Sequence, residues 1–307
     1  MRLAAGENMS GVLLVLLSAA GFGAMPIFAR YAYADGANLY GVLIMRFWVA
    51  GLLLLALTAW RGTPWPGRAK LAQLAAMGGI GYTGMSFCYF AALNYLPAGL
   101  VSLLLYAYPI MVSVLAVLFL HEKVTLLQCC ALALCALGTL LIVGADSLPG
   151  GVPLSPQGLG LGLGAALIYA GYITLGARVT RQLDPVLATT VICLAAAGAF
   201  TLVALALAQL SLPTRLPASL PGWGGLLGVA VVSTVLAIVA FFAGLKRLGA
   251  AQTAMLSTFE PLVTITLSAW LLSESLTPWQ TLGGAATLGG VVWLAGLGQN
   301  SRASEQA

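Results

Sequence analysis

Charged residues divide this chain into long apolar stretches of similar length. Residues 8–29 carry no charge, and 38–60 carry only Arg46. Residues 71–120 are also free of charge, which is too long for one crossing. The segment Asn94-Tyr95-Leu96-Pro97-Ala98-Gly99 splits them, because proline and glycine punctuate helices. Further apolar stretches cover 124–144, 157–177, 186–209, 224–245, 250–272 with Glu260 inside, and 278–297. Each is close to the ~20 residues that span a bilayer as a helix. Backbone groups in lipid must bond within their own segment, so every span is predicted to be helical. The pattern therefore predicts an all-α integral membrane protein with ten transmembrane helices.

Composition agrees and removes the alternatives. Of 307 residues, 61% are hydrophobic and 7% charged, and the mean hydropathy is +1.01. A soluble domain carries about 25% charged residues. A soluble enzyme, a nucleic-acid binder and a disordered chain are excluded together. The net charge of +5 comes from scattered basic residues and forms no nucleic-acid-binding stripe. The five cysteines all lie in apolar runs without CxxC spacing, so they read as small buried side chains. Ala32-Tyr33-Ala34 resembles a signal cleavage site, but the preceding apolar run is long and begins without a basic cluster. The first span is read as retained.

With ten spans and both ends inside, the cytoplasmic side holds Arg2, Arg61, Arg68, Lys70, Lys123, Arg178, Arg181, Lys246, Arg247 and Arg302. The outside holds Arg30 and Arg215. The positive-inside rule places both termini in the cytoplasm of a cell inner (plasma) membrane protein.

Displaced by 152 residues, 90–144 face 242–296 with 15 identities in 55 positions and no gap. The informative pairs are Pro109 with Pro261, Glu122 with Glu274, Thr125 with Thr277, Gln128 with Gln280, Gly138 with Gly290 and Gly144 with Gly296. Five spans per half is an odd number, so the halves are expected to have opposite orientation. Such inverted repeats mark secondary transporters. The expected organisation is a first five-helix repeat at 1–147, a linker at 148–156, a second repeat at 157–298 and a cytoplasmic tail at 299–307.

The repeated motif is a mid-helix proline, an apolar run, and a Glu-x-x-Thr-x-x-Gln turn into a glycine-bearing helix. It reads Tyr108-Pro109 to Glu122, Thr125, Gln128 and Gly138, then Glu260-Pro261 to Glu274, Thr277, Gln280 and Gly290. With the 5+5 plan, this chain resembles an EamA-type member of the drug/metabolite transporter superfamily over about residues 10–298. Phe22-Gly23 stands where such proteins often carry Trp-Gly. The resemblance implies a pocket built by spans one to four and six to nine, and efflux of metabolites, often amino acids or related compounds.

Few residues carry chemistry. His121-Glu122 begins like a zinc-protease motif, but Thr125 stands in place of the second histidine. The local reading is that Glu122 and Glu274 cap the helix that follows each of them. No catalytic motif, metal set or cofactor signature is present, so no enzyme activity and no cofactor is expected. Arg46 and Glu260 break the apolar rule at about 2.5–3.5 kcal/mol each. They line a substrate cavity, pair with each other or with backbone freed by Pro261, or, in the case of Glu260, stay protonated. Tyr82, Ser86 and Tyr89 share a helix face, as do Tyr169 with Tyr172, and Phe22 with Met25 lies beside Pro26. With Tyr106, Tyr108 and Thr258 they make an aromatic, amphipathic set of candidate substrate contacts. Glycines 158, 160, 162, 164, 224 and 228 are expected at close helix contacts. Trp60, Trp65, Trp223 and Trp279 lie at span ends as interface anchors.

The expected function is a secondary transporter, an exporter of small amphipathic metabolites working by alternating access. The expected partners are a small-molecule substrate, membrane lipid and protons, with no nucleic acid, in a monomer or homodimer. A channel-like facilitator, an intramembrane enzyme and a membrane scaffold are the rival classes.

Overall fold

The computed structural model describes residues 2–92, 95–96, 101, 104–144, 155–208, 214–271 and 277–304. Every regular element among them is helical. The expected break at 94–99, the 148–156 linker and the 273–277 turn with Glu274 lie wholly or mostly outside the described residues.

The first rod bends. α1 (Arg2–Gly23) gives way to α2 (Met25–Ala34) because Pro26 has no N–H to continue the ladder. α3 (Leu39–Trp60) starts on Asn38, whose side chain accepts the Gly41 N–H at 3.0 Å. α4 (Arg68–Ala76) and α5 (Thr83–Ala92) are joined by a π-helical turn at Met77–Tyr82. α6 (Tyr108–Leu120) begins with Pro109 in its first turn, and α7 is Leu126–Gly144.

The second half repeats this with variations. α8 (Pro156–Val179) is capped by Ser155, and α9 (Pro185–Ala208) by Asp184, which accepts the Val186 and Leu187 N–H groups at 2.9 and 3.1 Å. α10 (Leu220–Ala230) and α11 (Ala237–Leu248) are joined by a π-helical turn at Val231–Leu236. This lies within two residues of the repeat register of the first π turn. α12 (Ala250–Leu256) passes through a 3-10 turn at Ser257–Phe259 into α13 (Glu260–Leu271), and α14 is Pro278–Ser304.

Among the described residues, six helical stretches are long and apolar enough to cross a membrane: Met9–Ala34, Leu39–Trp60, Pro156–Val179, Pro185–Ala206, Leu220–Leu248 and Ala250–Leu271. Tyr108–Leu120 and Leu126–Ile142 are shorter apolar helices. Large apolar side chains such as Leu13, Leu52, Phe87, Leu118, Leu202 and Trp270 point outward, which suits lipid and would be insoluble in water. The chain is a multi-pass membrane protein.

Between helices in lipid, close packing and internal hydrogen bonds take over from the hydrophobic effect. α3 and α9 are tied by Thr58 to Thr190 at 3.0 Å and by Trp48 Nε1 donating to Thr201 at 3.0 Å. α7 packs on α14 across Gly138, Gly283 and Gly290. At this crossing Cys135 Sγ lies 3.8 Å from the Thr287 carbonyl, and those two residues are repeat mates, 152 apart. A residue meets its own mate only near the axis relating the halves, so the repeat is visible as a physical contact.

Two local expectations change. The Thr-x-x-Gln pattern is itself a reciprocal cap. The Thr125 N–H donates to Gln128 Oε1 at 2.8 Å while the Gln128 N–H donates to Thr125 Oγ1 at 3.3 Å, and Thr277 with Gln280 repeats it. Glu122 therefore does not cap α7. It caps α12 in the other half, accepting the Ala250 and Ala251 N–H groups at 2.8 and 3.0 Å. Second, the glycine stripes are used selectively. Gly158 and Gly162 receive Leu96 and Leu104, and Gly225 and Gly228 receive the Phe28 turn of α2. Gly160, Gly164 and Gly224 face open space.

Candidate functional site

A cavity of about 400 Å³ lies between the halves. Its walls come from the bend of the first rod (Phe22, Met25, Pro26, Ala29, Tyr33), from α3 (Leu39, Val42, Leu43, Arg46), and from the π turn and α5 (Tyr82, Met85, Ser86, Tyr89). Leu105, Tyr106 and Ile142 complete the first-half side. Val229, Glu260, Pro261, Thr264 and Ile265 supply the second half.

Its depth follows from helix geometry. Glu260 lies ten residues into the rod that begins at Ala250, about 15 Å along it. Tyr33 and Leu39 flank the 35–38 turn at one end of the bundle, so the cavity runs from mid-depth to that end. The turn there is fastened to the other half. Asp35 accepts the Ser219 N–H, Asn38 N–H donates to the Arg215 carbonyl at 3.1 Å, and Arg215 N–H returns to Asn38 Oδ1 at 3.0 Å. The same Ser219 contacts hold the Asp35 carboxyl below the usual carboxylate range.

The opposite end is closed. Val15, Leu74, Ala116, Ile173, Ala254 and Met255 are fully buried there and interlock. Between this plug and the cavity lies an aromatic layer. Tyr108 meets Tyr169 edge-on at 4.7 Å, Tyr169 stacks on Tyr172 at 6.0 Å, and Tyr172 touches Phe242 at 6.2 Å and Tyr82 at 6.1 Å.

The twelve sequence candidates divide accordingly. Phe22, Met25, Arg46, Tyr82, Ser86, Tyr89, Tyr106 and Glu260 line the cavity. Tyr108, Tyr169, Tyr172 and Thr258 do not; the three tyrosines form the layer beneath it, and the Thr258 hydroxyl is turned to the Met255 carbonyl at 2.6 Å. Helical spacing identifies a face but not a depth, which is why the deep tyrosines looked equivalent to the shallow ones. Tyr33, Met85 and Thr264 were missed. Each continues a face already recognised, seven beyond Pro26, three beyond Tyr82 and four beyond Glu260.

The two membrane charges share the cavity without pairing: no N···O approach within 4.0 Å joins Arg46 to Glu260. Arg46 is 3% exposed, with Nη1 donating to Met25 Sδ at 2.9 Å and Nη2 to Tyr82 Oη at 3.0 Å. Its guanidinium also lies over the Phe47 ring at 4.6 Å. Glu260 Oε1 accepts from the Tyr106 hydroxyl at 3.5 Å and makes no bond to the carbonyl freed by Pro261. The bend of the first rod packs directly on this point. The Thr264 hydroxyl donates to the Gly23 carbonyl at 3.0 Å, and a Cβ at Gly23 would lie 2.7 Å from the Glu260 carbonyl.

A cavity shared by two repeats suits a carrier, and comparison with known proteins decides its kind. The EamA-like transporter family model matches this chain twice, at residues 9–144 and 156–296. The chain belongs to the EamA-like transporter family. The family match thus falls once on each half of the EamA fold described above. An uncharacterized transporter of Synechocystis, sll1319, is 25% identical over 92% of each chain. The uncharacterized transporter YcbK of Bacillus subtilis is 26% identical over 90% of each. A crystal structure 18% identical in sequence superposes with a TM-score of 0.81 over 93% of this chain and 98% of its own, which shows a shared fold. This EamA protein is a membrane transporter.

Proposed function

We propose that this transporter is a ten-span secondary carrier that moves small amphipathic metabolites, amino acids or related compounds, out of the cell by alternating access. The observation that carries the reading is the asymmetry of the cavity. It is walled by both repeats, its lining reaches from Glu260 to Tyr33 and Leu39 beside the 35–38 turn, and on the other side the aromatic layer and fully buried side chains follow. A carrier caught facing one side has this shape, whereas a channel needs a continuous path. The basic turns gather at the closed end, where Lys70 reaches the Val179 carbonyl and Lys246 the Leu183 carbonyl. The positive-inside rule then makes that end cytoplasmic, with both termini on the same side in the inner membrane.

The inverted repeat supplies the second state: exchanging the conformations of the two halves closes the open end and opens the closed one. The cavity volume suits a molecule of amino-acid size.

The test is counterflow in proteoliposomes, with a panel of amino acids, sugars, nucleosides and cationic drugs, each run with and without a pH gradient. Saturable uptake that is accelerated by unlabelled substrate on the far side is expected. Uptake that rises linearly with concentration and ignores far-side substrate would mean a channel.

A further inference from the structure

We infer that Arg46 is the anchor for a carboxylate carried by the substrate. The inference rests on the proposed carrier function and assigns a chemical class to its cavity.

The argument begins with what Arg46 lacks. A guanidinium keeps its charge in any protein environment and presents five N–H donors but no acceptor. Here it is almost wholly buried within a membrane-crossing helix. Its Nε has no hydrogen-bond partner, and Nη1 faces only a thioether, a weak acceptor. No carboxylate among the described residues comes within 4.0 Å. The rings of Phe47 and Tyr82 soften the charge but do not neutralise it.

A charge in lipid is held by a partner or by a water-filled cavity. Arg46 has the cavity, and no described residue supplies an anionic partner. The two remaining requirements of a carboxylate are also met. A planar fork with unused donors matches a carboxylate in bidentate geometry. The wall around it is apolar, with Phe22, Leu43 and Ile265, so the rest of the bound molecule is expected to be hydrophobic.

The experiment needs no variant to be decisive. The full-length protein in nanodiscs is titrated with matched ligands: L-phenylalanine, 3-phenylpropionate, L-phenylalaninamide and phenethylamine, and the same series built on L-leucine. Binding is read from thermal stabilisation, and exchange from counterflow. The carboxylates are expected to bind roughly tenfold or more tightly than the amide and the amine, the scale of a charged hydrogen bond. R46Q should abolish that preference, and R46K should weaken it, in protein that stays monodisperse. A parallel titration in chloride and in chloride-free buffer separates a substrate carboxylate from a resident halide.

Amides or amines that bind as well as carboxylates overturn the inference, as does a panel in which no carboxylate binds. Chloride that competes as strongly as the carboxylates also overturns it. Counterflow of an amide or amine without carboxylate preference leaves the carrier reading intact and removes only the anchor. Carboxylate binding without counterflow does the reverse.

Discussion

The carboxylate of Glu122 receives the backbone N–H of Ala250 at 2.8 Å, so a turn of the first repeat caps a helix of the second. Ala251 gives the other carboxylate oxygen a second bond at 3.0 Å. Gly249, with φ +85°, makes the bend that brings these groups forward, and a Cβ there would lie 2.8 Å from Glu122 Oε1. The bond ties the two halves together, so any movement between them here breaks it or carries both partners along.

Removing this cap should therefore be felt across the molecule. Glu122→Ala is expected to destabilise the protein by about 1–2 kcal/mol, the range of a lost helix cap. Glu122→Gln, which keeps one acceptor oxygen, should lose less. Thermal unfolding in detergent measures both. Equal stability of wild type and Glu122→Ala would reduce the contact to a passing one.

Glu260 offers a second test. Glu260→Gln keeps size and hydrogen-bonding reach but cannot ionise. If the acid receives a substrate amine, the variant should lose the preference for L-phenylalanine over 3-phenylpropionate while its folding is unchanged. Competition binding of that pair reads the preference directly. An unaltered ratio would leave Glu260 a structural residue held by Tyr106.

The glycines of the α7–α14 crossing should be far less tolerant than those facing lipid. A Cβ at Gly138 would lie 2.6 Å from the Gly283 carbonyl, and one at Gly290 would lie 3.0 Å from the Ala131 carbonyl and closer to the Cys135 sulfur. Gly138→Val and Gly290→Val are expected to cost about 1–3 kcal/mol by overpacking. Gly160→Ala and Gly164→Ala meet no atom within 4 Å and should be neutral or slightly stabilising. Melting temperatures of the four variants decide it.

Asp35 gives a pH expectation with a definite sign. Its carboxyl is held below the usual range by Ser219. A depressed value in the folded state means that its contribution is complete above the unfolded carboxylate pKa of about 3.9 and is lost as pH falls through the lower folded value. Protection of the Ser219 amide, corrected for intrinsic exchange, should stay level near neutrality and fall only in strong acid. Asp35→Ala should already have lost it at neutral pH, and trypsin should then cut faster at Arg215.

Much of this architecture was legible because lipid leaves the chain little freedom. Apolar length marks the helices, and the 152-residue register that sequence comparison detects returns as the Cys135–Thr287 contact. What escaped was long-range or state-dependent. In sequence, Glu122 reads as a local cap because Thr125 and Gln128 mark a helix start so clearly, and nothing there points to Ala250. Tyr108, Tyr169 and Tyr172 look like Tyr82 and Tyr89 in sequence because periodicity carries no depth. The π turns at Met77–Tyr82 and Val231–Leu236 leave no pattern that distinguishes them from ordinary helix.

The contact between Cys135 and Thr287 has the logic of a symmetric dimer. In a two-fold homodimer, residues close to the axis touch their own copies. Here the two copies are joined in one polypeptide, and α7 and α14 meet around Gly138 and Gly290 as two subunits would. Each half carries one family match and one side of this seam. Tethering the halves then frees each to diverge, so that Tyr108 in one becomes Glu260 in the other and the shared cavity acquires a polarity that no true homodimer can have.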